Sequence, residues 1–109
     1  MLYLHSTYHV EPGKVDEYLD LVEGLLLPAN EKRGMKTVGY WTTAGVPGPT
    51  TDITAVYQLE GWDHWARIQQ GAPDKETSAL LKKYLAKAQY LRPKWESKFL
   101  TPVRFSPLQ

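Results

Sequence analysis

From Leu2 to Val10 apolar and polar side chains alternate, with Leu2, Leu4, Ser6, Tyr8 and Val10 on one side and Tyr3, His5, Thr7 and His9 on the other, the period of a strand. Glu11-Pro12-Gly13 stops it. The period then changes: Val15, Tyr18, Leu19, Val22, Leu25 and Leu26 recur at steps of three and four, while Lys14, Asp16, Glu17, Asp20 and Glu23 fall on the opposite side, so the segment is predicted to be an amphipathic helix. Pro28 is expected to kink or end that helix, with a short last turn over Ala29 to Arg33 and Gly34 in the left-handed position beyond it.

Met35 to Thr43 and Asp52 to Leu59 read as two strands of an antiparallel hairpin, joined by the breaker cluster Ala44-Gly45-Val46-Pro47-Gly48-Pro49-Thr50. Both carry bulky groups on both faces: Val38 and Tyr40 against Met35 and Trp41 in the first, Ile53, Ala55, Tyr57 and Leu59 against Val56 in the second. Glu60-Gly61 leads into a short helix over Trp62 to Gln69, whose inner stripe is expected to be Trp62, Trp65, Ala66 and Gln69. Gly71-Ala72-Pro73 breaks it, and Asp74 can cap a further helix whose apolar face holds Leu80, Leu81, Tyr84, Leu85, Ala88 and Leu91. Trp95 to Thr101 is the last strand, and Pro102 to Gln109 a proline-punctuated tail.

Strand, helix, strand, strand, helix, strand is the split β-α-β order: an α+β, ferredoxin-like fold with a four-stranded antiparallel sheet and its helices on one face. So few helices cover one side only, yet the middle strands are bulky on both. The second face is therefore expected to meet a second copy of the chain, because symmetric homodimers are the commonest soluble oligomers, and two such sheets face to face make a dimeric α/β barrel with a cleft inside.

Composition narrows the function classes. The 109 residues suit one domain, 1–109, and 13 basic against 12 acidic residues with mixed signs offer no basic tract for nucleic acid. No cysteine is present, which removes disulfides, thiol nucleophiles and thiolate metal sites and agrees with a reducing interior. Met1-Leu2-Tyr3-Leu4-His5 lacks the charged start and long apolar run of an export signal, and Leu25-Leu26-Leu27 is far short of a span, so a cytoplasmic protein with no membrane contact is expected.

Three quoted stretches carry a family resemblance. Tyr8-His9-Val10-Glu11-Pro12-Gly13-Lys14, then Gly34 with Val38-Gly39-Tyr40-Trp41, then Leu100-Thr101-Pro102-Val103-Arg104-Phe105-Ser106-Pro107-Leu108 resemble the opening strand and turn, the second strand and the closing tail of the NIPSNAP family, a branch of the dimeric α/β barrel proteins, here in a bacterial form. The resemblance implies the fold and the dimer more firmly than a reaction. Many members have a histidine and a tryptophan within the third strand, where this chain has Ala55 and Tyr57.

The candidate chemistry is sparse. If the face of Tyr3 and His5 lines the cleft, His5 is the candidate general base, with Tyr57 or Tyr3 as donor to a developing oxyanion; a hydrogen-bonded histidine at a dimer seam is the favoured reading of His5. Tyr40, Trp41, Tyr57, Trp62 and Trp65 gather around the middle hairpin and the helix after it, and aromatic walls with polar tips fit a planar organic ligand, although the same residues also serve as core. His9 and Arg104 are further candidate ligand contacts, Arg104 from a tail in which Phe105 and Leu108 are candidate anchors. Asp63 and His64 are neighbours on a helix and form no dyad, so His64 is expected on a surface ridge. Three histidines with no close metal-ligand spacing mark no metal site, no residue marks a haem axial ligand, and neither glycine cluster has a nucleotide-binding pattern; no cofactor is implied.

These readings favour a homodimer that binds a small aromatic or apolar molecule. Two alternatives stand beside it: a cofactor-independent monooxygenase, isomerase or cyclase acting on a phenolic or polyketide-like substrate, and a structural or partner-binding module.

Overall fold

The computed structural model describes residues 1–43 and 51–109. The expected hairpin loop at Ala44 to Thr50 lies outside the described residues. Strands β1 (Leu2–Val10), β2 (Lys36–Thr42), β3 (Thr51–Leu59) and β4 (Lys94–Leu100) form one antiparallel sheet in the order β2-β3-β1-β4, the split β-α-β arrangement, so the α+β, ferredoxin-like expectation holds. Helices α1 (Val15–Leu21), α2 (Leu27–Lys32), α3 (Trp62–Gln69) and α4 (Lys75–Leu91) make the second layer. Asp74 caps α4 as the sequence indicates, its carboxylate accepting the Thr77 N–H at 2.7 Å.

The register fixes which side chains share a face. Rows Tyr40–Ala55–Ser6–Ser97 and Thr37–Tyr57–Leu4–Phe99 lie on the side whose neighbours Leu2, Tyr8, Val10, Ile53 and Leu59 pack in the core with Tyr18, Val22, Leu26, Tyr84, Ala88 and Leu91 from the helical layer. Rows Gly39–Val56–His5–Lys98 and Trp41–Thr54–Thr7–Glu96 lie on the other side, where His5, Thr7, Thr54 and Val56 are half-buried and Trp41 is exposed, although Tyr3 on the same side is buried. A β-bulge between Thr37 and Gly39 places one extra residue, Val38, and reverses the alternation of β2. This corrects the strict period-two reading: Met35, buried in the core, falls with Tyr40 on the covered side and not with Trp41.

Pro28 does not end the first helical stretch. α1 runs through a π turn, Val22–Leu26, straight into α2, with the Leu27 N–H donating to the Val22 carbonyl five residues back. Proline has no N–H and its ring collides with the carbonyl four residues earlier, and the wider π turn absorbs that conflict just before Pro28 becomes an early residue of α2. Gly34 then adopts φ 76°, the left-handed value expected of it. Among the described residues no helix is long and apolar enough to cross a membrane.

Candidate functional site

A cleft of about 410 Å³ opens between the covered face of the sheet and the helical layer. Ser6, Ser97 and Phe99 make its floor, Leu26 and Met35 one apolar side, Trp65 and Ile68 of α3 the other, and Tyr8 with Trp95 an aromatic wall. This geometry follows from local sequence. Ser6 interrupts the run Leu2, Leu4, Tyr8, Val10, and Ser97 stands opposite it in β4, so two small residues leave space where large apolar ones would fill the layer. Their hydroxyl oxygens are 2.7 Å apart and satisfy each other.

Polar groups ring this apolar space. Tyr57 is 2% exposed, yet its hydroxyl, like that of the neighbouring Tyr40, has no hydrogen-bond partner; the two rings meet edge to face at 5.8 Å. Burial pushes the Tyr40 phenol far above its ordinary range, so it is a neutral donor at any physiological pH. Arg33, at the end of α2, donates from its terminal nitrogen to Oδ1 of the buried Asn30 and lines the cleft beside it, while its Nε–H is buried without a partner. Burial lowers the guanidinium pKa from its usual value, since no carboxylate offsets the lost solvation. Behind the aromatic wall Arg92, 8% exposed, stacks over Tyr8, Tyr84 and Trp95 at 5.3, 5.6 and 5.5 Å. Burial raises the Tyr8 phenol pKa despite the opposing pull of Arg92 and Arg33.

The expected site residues are divided by the sheet. Tyr57 and Trp65 line the cleft and Tyr40 packs directly behind Tyr57. Trp62, 58% exposed, instead covers Phe99 from the outside at 5.0 Å. Tyr3, His5, His9 and Trp41 lie on the opposite face, so the grouping of His5 with Tyr57 is corrected: residues 5 and 57 of adjacent strands are offset by one position in register and point to opposite sides. His5 shares a shallow depression with Thr7, Glu96 and Lys98. His9 is engaged at both ring nitrogens, Nδ1 with Asp52 at 2.7 Å and Nε2 with Glu96 at 2.8 Å; the bond to Glu96 and then that to Asp52 raise its pKa. Arg104 lies in the tail with its guanidinium over the exposed Phe105 ring.

His64 is also corrected. It is buried rather than on a ridge, with Nδ1 accepting the Glu60 N–H at 3.1 Å and Nε2–H donating to the Arg33 carbonyl at 2.8 Å. The inner side of α3 is accordingly His64, Trp65 and Ile68, and Trp62 and Ala66 stay outside. His64 ties α3 to the end of α2 and so fixes the backbone at Arg33. Sequence reasoning missed Ser6, Asn30, Arg33, Trp95, Ser97 and Phe99 as cleft residues. Only Ser6 left a signal, a small polar residue at the centre of an apolar strand face.

A model of the NIPSNAP family matches residues 3–107 of the chain. Among solved structures, the chain is similar to a NIPSNAP family protein from Agrobacterium tumefaciens at 25% identity, over 99% of this chain and 98% of that one, with a TM-score of 0.76. It is similar in fold to an uncharacterised NIPSNAP domain protein from Burkholderia xenovorans, at 23% identity, over 98% and 99% of the two chains, with a TM-score of 0.77. An antibiotic biosynthesis monooxygenase shares the fold at 10% identity, over 94% and 99% of the chains, with a TM-score of 0.57. Comparison with curated proteins gives no match.

Proposed function

Since the chain belongs to the NIPSNAP family, and that membership brings a fold without a reaction, we propose from its own cleft that it binds a small aromatic or apolar molecule between the covered face of the sheet and helices α2 and α3. The observation that carries this reading is the cleft of about 410 Å³ itself, walled by Tyr8, Trp65, Trp95 and Phe99, with Tyr57 in its lining holding a buried hydroxyl that has no partner. Leaving such a group unpaired costs roughly 1–3 kcal/mol, which a ligand oxygen would recover while Trp65, Trp95 and Phe99 cover its apolar body.

The open sheet face supports the second half of the proposal, a homodimer. Trp41 is 53% exposed and Leu100 41% exposed on or beside that face. Its charges are of mixed sign, Lys94, Glu96, Lys98 and Asp52, as a surface that pairs with its own copy requires. The catalytic alternative built on His5 draws no support from this arrangement, because the sheet separates that imidazole from the cleft and, among the described residues, no histidine or carboxylate lines the cleft itself.

Titration with a set of planar aromatic compounds, read by quenching of the cleft tryptophans, tests the binding. Ser6→Leu fills the floor and is expected to abolish it while the fold persists by circular dichroism. Binding to this variant as tight as to the wild type, or no binding by any compound, overturns the cleft reading. Light scattering tests the dimer separately: a monomer mass at every concentration overturns it.

A further inference from the structure

Among the described residues that line the cleft, Arg33 is the only one with a side chain charged at neutral pH. No aspartate or glutamate lies among them, and among the described residues Arg33 makes no ion pair. A half-buried guanidinium keeps its charge, and charges withdrawn from water are normally paired. Asn30 holds one terminal nitrogen and so orients the group, and the His64 bond to the Arg33 carbonyl anchors the backbone beneath it. Two residues of the cleft lining, Arg33 and Tyr57, thus each hold a buried donor without an acceptor, at Nε and at the phenol.

Resting on the reading of the cleft as a ligand site, we propose that the molecule it takes is an anion: a small aromatic compound carrying a carboxylate, whose oxygens accept from Arg33 and Tyr57 while its ring lies against Trp65, Trp95 and Phe99. Charge-assisted bonds from a guanidinium are stronger than neutral ones and have the planar geometry a carboxylate matches. Asn30 is a positioning residue, acting through Arg33.

The test compares 2-naphthoate with 2-naphthamide, a neutral compound of nearly the same shape, by isothermal titration at pH 7 against wild type and Arg33→Met. The wild type is expected to bind the carboxylate roughly tenfold tighter, about 1.4 kcal/mol, and the variant to lose that preference. Equal affinity of the wild type for both compounds overturns the anion inference and leaves the cleft reading intact. A preference that persists in Arg33→Met overturns the assignment to Arg33. Binding of neither compound overturns the anion inference together with the cleft reading for aromatic ligands of this size. The wild-type comparison decides the first and last outcomes even where Arg33→Met does not fold.

Discussion

The two faces of the sheet come from the same four strands and differ in how their polar groups are satisfied. On the open face His9 joins Asp52 to Glu96, carboxylates from two different neighbouring strands, while Tyr3, 6% exposed, keeps a buried hydroxyl without a partner. On the covered face Ile53, Leu59 and Val10 are almost wholly buried, and among them Tyr57 and Tyr40 keep hydroxyls without partners. Water reaches the charged pairs of the first face and has far less room among the core side chains of the second. Buried hydroxyls without partners occur on both faces, and what separates them is the cleft: Tyr57 lines it and Tyr3 does not. This difference moves the candidate site from the histidine-bearing face to the cleft under the helices.

The largest test of that contrast is a pair of truncations in one strand. Ile53→Ala, on the covered face, is expected to lose roughly 2–5 kcal/mol in urea denaturation, because the helical layer cannot fully collapse onto the space. Thr54→Ala, one residue on and on the open face, is expected to stay within about 0.5 kcal/mol. Equal losses would erase the distinction between the faces.

A smaller effect, of mixed sign, is expected at Tyr57. Tyr57→Phe removes a buried hydroxyl that has no partner, so the ligand-free protein is expected to keep or gain stability, by up to about 1 kcal/mol, while affinity for an oxygen-bearing ligand falls roughly fivefold. Thermal melts and titration of the same sample separate the two. A loss of stability with unchanged affinity would show the hydroxyl to be satisfied inside the protein.

The smallest effect is electrostatic and belongs to the open face. The folded-state pKa of His9 is raised above its unfolded value of about 6.5, so its contribution to stability is fully present below that value and is lost as pH rises through the folded one. The difference in melting temperature between wild type and His9→Gln is accordingly expected to be greatest near pH 6 and to fade toward alkaline pH. Solvent and salt screen these half-exposed side chains, so it should also shrink in high salt. A difference independent of pH would assign His9 a packing role instead.

Several parts of this structure were legible in the residues alone. The alternation of Leu2 to Val10, the three- and four-residue steps after Val15, the cap at Asp74 and the left-handed Gly34 each depend on neighbours a few positions away, and each lies where local chemistry put it. The same local logic failed where a local rule had two outcomes. Pro28 can end a helix or be absorbed by a π turn, and the packing of Val22 and Leu26 into the core favours the second. The alternation of β2 has a definite phase only if no bulge intervenes, and Val38 shifts it.

The sequence by itself determined that β1 and β3 each have two unlike faces, because side chains on a strand alternate whatever surrounds it. Which face the helices cover, and hence that His5 and Tyr57 are separated by the sheet, was decided only by the tertiary structure. The cleft is a product of the same long-range order: Ser6, Arg33, Tyr57, Trp65 and Ser97 come from five different parts of the chain. No periodicity links them, since their meeting depends on strand pairing across the whole sheet and on the two bonds by which His64 joins α3 to the end of α2.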